Sequence, residues 1–134
     1  MAIDFKNVKM TQEQTDKFKE QEKKAEDFSD YLKLAKSMAT NYYLEDKEWT
    51  KRLFKEAENL AEDFSNYFKL GKIIGDDKYL GDEKWAIELF KKAENSANNS
   101  SNCIILAKLV KDDKYLGNNE WVKNYLKRLK IIVG

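Results

Sequence analysis

Histidine is missing from all 134 residues, which removes the commonest general base and metal ligand. A Ser-His-Asp or Cys-His constellation and a His-ligated zinc site are therefore excluded. Proline is missing too, so no helix is broken by its ring. One cysteine allows no internal disulfide and suits a reducing compartment. The opening stretch MAIDFKNVKM has no apolar leader segment, and no run approaches the length of a membrane span. Charge of neither sign prevails: 25 basic residues against 24 acidic ones leave a net charge of +1. Such a balance carries no footprint of nucleic acid or of a membrane surface. The expectation is a cytoplasmic chain without cofactor, nucleic-acid or membrane partners.

What is present is a repeat. Ten residues from Asp76, DDKYLGDEKW, return from Asp112 as DDKYLGNNEW, an offset of 36. Acids beside a glycine suggest a calcium loop, but its alternate ligand positions would fall on Tyr79 and Gly81. The offset extends well beyond the ten-mer: residues 26–61 and 62–97 share 19 identities, and 62–97 share about a dozen with 98–133. Columns of Trp49, Trp85 and Trp121, of Leu34, Leu70 and Leu106, and of Tyr43, Tyr79 and Tyr115 recur, the last each followed by leucine at 44, 80 and 116. Residues 12–25 read as a leading half repeat. The chain is thus one repeat domain, 1–134, and the acids belong to a solvated turn.

Each unit reads as two helices. Phe64, Tyr67, Leu70, Gly71 and Ile74 fall three or four apart, and Trp85, Ala86, Leu89, Phe90, Ala93 and Ala97 resume that spacing. Between them Gly81 is suited to a left-handed conformation and Asp82 to capping the next helix, with Asp46 and Asn118 in the same column. The small columns Ala35/Gly71/Ala107 and Ala57/Ala93 would let paired helices approach closely. The prediction is an all-α fold of about seven helices, one leading helix and three hairpins.

The second unit, NYFKLGKIIGDDKYLGDEKWAIELFKKAENSA, resembles the tetratricopeptide repeat. Tyr67, Leu70 and Gly71 match its aromatic-x-x-Leu-Gly start, and Ala86, Phe90 and Ala93 its Ala-x-x-x-Phe-x-x-Ala second helix. The interval from Gly71 to Ala86 is three residues longer than that pattern, closer to the Sel-one-like branch. In the third unit Cys103 replaces the tyrosine and Leu126 the phenylalanine. The resemblance implies a right-handed α-solenoid whose concave face, lined by first helices, binds peptides or protein surfaces; it implies no activity.

In the register that this resemblance implies, the outward positions of the first helices are Leu32, Lys33 and Lys36, then Phe68, Lys69 and Lys72, then Ile104, Ile105 and Lys108. A lysine ladder beside an apolar one would suit an acidic peptide with interspersed apolar side chains. Cys103 and the three tryptophans are expected in the core. Lys123, Lys127, Arg128 and Lys130 against Glu120 make a small basic excess that points the same way. Leu129, Ile131 and Ile132 leave a homodimer through the C-terminal helix open. The junction NSANNSSN carries Ser96 and Ser100 where its counterpart carries Leu60 and Phe64, and is expected to be the softest point between repeats. The expected function is a non-catalytic protein- or peptide-binding module. The alternatives are an immunity or inhibitor protein that blocks one partner enzyme and, further off, an enzyme with a carboxylate-based site.

Overall fold

The computed structural model describes residues 10–42, 47–111, 113–116 and 119–129. Among them there is no strand. The helices are α1 (Gln12–Lys24), α2 (Phe28–Tyr42), α3 (Lys47–Leu60), α4 (Phe64–Ile74), α5 (Glu83–Ser96), α6 (Ser100–Val110), α7 (Asp113–Leu116) and α8 (Glu120–Arg128). Setting aside α7, a single turn, the described helices are the leading helix and the three pairs that the apolar period predicts. The first helices of the pairs start at Phe28, Phe64 and Ser100, in step with the sequence repeat.

Local chemistry places these starts. Thr11 opens α1 with a reciprocal box: its hydroxyl accepts from the Gln14 N–H at 3.1 Å, and the Gln14 side chain accepts from the Thr11 N–H at 2.9 Å. Gly81 stands at φ +62°, and Asp82 then caps α5 by accepting from the Trp85 N–H at 3.0 Å. Asp46 and Asn118 of that column lie outside the described residues. Asn119 caps α8, accepting from the Val122 N–H at 3.0 Å. A second column of caps opens the first helices: Asp27, Asp63 and Asn99 accept from the backbone N–H of Asp30, Asn66 and Asn102 at 2.8–2.9 Å. The junction from Asn95 to Asn102 therefore contains a helix start rather than an uncommitted loop.

The chain divides into two compact units, Met1–Glu62 with Asp76–Gly81, and Asp63–Gly75 with Asp82–Gly134. In the first, α2 packs on α3 and buries Leu34, Ala35, Met38, Leu53, Phe54 and Ala57. The Phe18 ring meets Trp49 edge-on, with centroids 6.1 Å apart. In the second, α4 packs on α5, and one core gathers Phe64, Phe90, Leu106, Val110, Tyr115 and Tyr125 with their neighbours. A Cβ on Gly71 would stand 2.6 Å from Cε1 of the buried Phe90 ring, so the small residue sets how closely α4 approaches α5.

Two expectations about the core need correction. Only Trp49 of the tryptophan column is buried; Trp85 and Trp121 are half-buried. A polar acceptor for the indole does not by itself decide this, since Trp49 and Trp121 both donate to a glutamate, at 3.1 and 3.4 Å. Cys103 is half-buried rather than buried. Its carbonyl accepts from the Tyr125 hydroxyl at 2.8 Å, and burial, first of all, pushes that phenol up.

Candidate interaction site

The predicted ladder is not uniform. Leu32 is buried in the first unit, at 6% exposure, and offers nothing to a partner. The register that the resemblance implies places it outward; instead it follows Phe28 by one turn, and both side chains join the core. Lys36 is half-buried, its Nζ 5.7 Å from the centre of the Tyr79 ring, so it makes a cation–π contact within the unit. Lys33 is exposed and lines a shallow concavity of about 400 Å³ with Lys24, Asp30 and Ser37.

In the second unit, Phe68 is half-buried, stacked on Phe64 with centroids 5.5 Å apart and planes 18° off parallel. Lys69 and Lys72 on α4 are exposed, as are Ile104, Ile105 and Lys108 on α6. Ile104 at 49% and Ile105 at 45% are the most exposed large apolar side chains among the described residues, ahead of Leu60 at 37%.

Charge is segregated between the two helices of each pair. The first helices α4 and α6 contain no acidic residue, and α2 contains only Asp30. That carboxylate accepts from the Glu26 backbone N–H at 3.0 Å. Among the described residues no ion pair engages Lys33, Lys69, Lys72 or Lys108. Second helices mix the signs and pair them: Lys55 lies 3.1 Å from Glu58, and Lys91 lies 3.1 Å from Glu88.

A different carboxylate column ties elements that are distant in sequence. Glu22 on α1 accepts from the Trp49 indole N–H at 3.1 Å and is bound by both terminal nitrogens of Arg52. Glu94 on α5 accepts from the Trp121 indole at 3.4 Å and pairs with Arg128 at 2.7 Å. Each glutamate precedes its tryptophan by 27 residues. The hydrogen bond from Arg52 is the main reason that the Glu22 carboxyl titrates below its ordinary value; burial opposes it, and the Arg52 charge and the Trp49 N–H add to it. Neither Glu22 nor Glu94 is among the residues that the sequence motifs single out. The fixed offset between the Glu22/Glu58/Glu94 column and the tryptophan column was the available signal.

Among the described residues no group of three or more acids or cysteines is placed to hold a metal ion. None of the described helices is long and apolar enough to cross a membrane. Lys130, Ile131 and Ile132 lie outside the described residues. Comparison with protein-family models, with curated proteins and with solved structures gives no match.

Proposed function

We propose that the chain is a non-catalytic binding module, a tetratricopeptide-type solenoid of 36-residue repeats that takes an acidic protein or peptide on its first helices. One observation carries this reading. Lys33, Lys69, Lys72 and Lys108 are exposed on helices almost free of acid, and no ion pair among the described residues engages them. Solubility alone does not ask for this segregation, because the second helices reach it with mixed and paired charge. Cations without carboxylates nearby attract an acidic partner from solution and discriminate against a basic one. The half-buried Phe68 and the exposed Ile104 and Ile105 supply apolar contact on the same helices as Lys69, Lys72 and Lys108.

The test replaces Lys33, Lys69, Lys72 and Lys108 together with glutamine. Immobilised wild type, incubated with native lysate, should retain a partner that added salt releases. The variant should retain much less of it while melting at the same temperature. Undiminished, salt-sensitive capture by the variant would remove these lysines from the function.

A further inference from the structure

The third repeat departs from the other two at the start of its first helix, and both departures uncover apolar surface. In the first repeat Phe28 and Leu32, one turn apart, are both buried. In the second, Phe64 stacks on Phe68. The third repeat places Ser100 in the aromatic column, and Ile104, one turn on, is 49% exposed. The next column holds Lys33 and Lys69 in the first two repeats and Ile105 in the third, 45% exposed. An isoleucine pair is therefore bare where the other repeats carry either their own cover or a charge.

Lys108 on the same helix and Lys111, its C-cap with helical backbone angles, are exposed, four and seven residues beyond Ile104. Residues at these intervals share one helix face. Lysines in a last turn and at a C-cap complement the helix dipole, which accounts for their sign but not for the isoleucines beside them. With no acid anywhere in α6, a second copy docked through this helix would bring no carboxylate from α6 to meet them. The chemistry complementary to the stripe is apolar at one end and anionic at the other.

We propose that the stripe Ile104–Ile105–Lys108 on α6, continued by Lys111 at its C-cap, docks an acidic segment of a partner protein, whose aromatic side chain takes the place over Ile104 that Ser100 leaves empty. The carboxylates of that segment lie along Lys108 and Lys111, about one to two helical turns from the aromatic contact. This proposal rests on the binding-module reading and assigns its anchor to one helix.

The probe is a short fluorescein-labelled glutamate-rich peptide with a central phenylalanine, followed by anisotropy against the full chain. Two control peptides carry lysine for glutamate and serine for phenylalanine. The wild type should bind the first peptide and neither control. Ile104→Gln with Ile105→Gln should weaken binding about tenfold or more with unchanged helicity, because glutamine is at least as good a helix former as isoleucine. Lys108→Gln with Lys111→Gln should weaken it a few-fold and flatten its salt dependence. Ser100→Phe rebuilds the second-repeat pattern, and should abolish binding while the melting temperature holds or rises. Absence of binding by the wild type overturns the proposal, as does equal binding by the isoleucine variant or by Ser100→Phe. Sedimentation that finds a wild-type dimer made monomeric by the isoleucine variant overturns it in favour of a second copy. Any of these results leaves the lysate-capture test standing, since that test follows lysines on three helices.

Discussion

At the scale of single residues, the glutamates under the tryptophans do more than the acids that first draw attention. Glu22 keeps the Trp49 N–H and the Arg52 guanidinium satisfied at once, at 20% side-chain exposure. Its carboxyl is held below the ordinary value of 4.5. The stabilisation is therefore fully present above that value and is lost as pH falls through the lower, folded one. Arg52 is half exposed, so solvent screening keeps the pair modest. A double-mutant cycle with Glu22→Gln and Arg52→Gln should give a coupling of about 0.5–1 kcal/mol at neutral pH. The coupling should vanish in acid, as read by urea midpoints across that range. Gly71 supplies a second test. Alanine there gains up to about 1 kcal/mol of helix propensity but drives a methyl into the Phe90 ring, and overpacking of this kind costs about 1–3 kcal/mol. The ring is wholly buried and cannot swing out, so Gly71→Ala should lower the urea midpoint. Ala35 and Ala107 in the same column show that the demand belongs to this hairpin and not to the repeat.

At the scale of elements, the repeat is written in the caps of the first helices and followed by those of the second helices to within one residue. Asp27, Asp63 and Asn99 start the first helices, while Asp82 and Asn119 start the second helices of the later repeats. Asp82→Ala should cost about 1 kcal/mol, within the usual range of about 0.5–2 kcal/mol for a lost cap, and chemical denaturation will measure it. The caps also reshape the expectation for the asparagine-serine junction. Leu60 is exposed in the counterpart segment, so of the two apolar groups thought to be missing at Ser96 and Ser100, only the equivalent of Phe64 is a real loss. One buried aromatic fewer leaves α6 held at its start by Asn99 but uncovered one turn later. Amide exchange in the first two turns of α6 should therefore be faster than in the matching turns of α4. Equal protection would mean that the cap alone fixes the helix start.

For the molecule as a whole, a net charge of +1 leaves little repulsion between copies at neutral pH. Single lysines and glutamates on the second helices do not change that. The bare pair Ile104 and Ile105 is the most open large apolar surface among the described residues, but α6 brings no carboxylate to meet Lys108 in a second copy, so self-attraction there should stay too weak to form a dimer. Light scattering at pH 7 should show less attraction for Ile104→Gln with Ile105→Gln than for the wild type. The same scattering should respond to salt little, since the contact is apolar. An unchanged signal would move the search for self-contact to other surfaces, the C-terminal Leu129 first.

Among the described residues, the sequence by itself determined the leading helix and the three pairs and their phase, though not the single turn α7, because these depend on local terms: apolar spacing, cap residues, a glycine able to hold positive φ, and no proline. It also determined Asp82 and Gly81 in their roles. What it left open was which columns face solvent. Leu32, Phe68 and Ile104 share one column, yet they end buried, half-buried and exposed, and only the last lacks an aromatic residue one turn earlier, where Ser100 replaces Phe28 and Phe64. Lys36 and Lys72 share another, yet Lys36 alone rests on Tyr79 in the first unit. Burial is a property of the neighbours that tertiary packing supplies, and a repeat in sequence repeats those neighbours only where their side chains repeat as well. The bond from Trp49 to Glu22 belongs to the same class: 27 residues of chain separate its ends, and only the packing of α1 against the hairpin brings donor to acceptor.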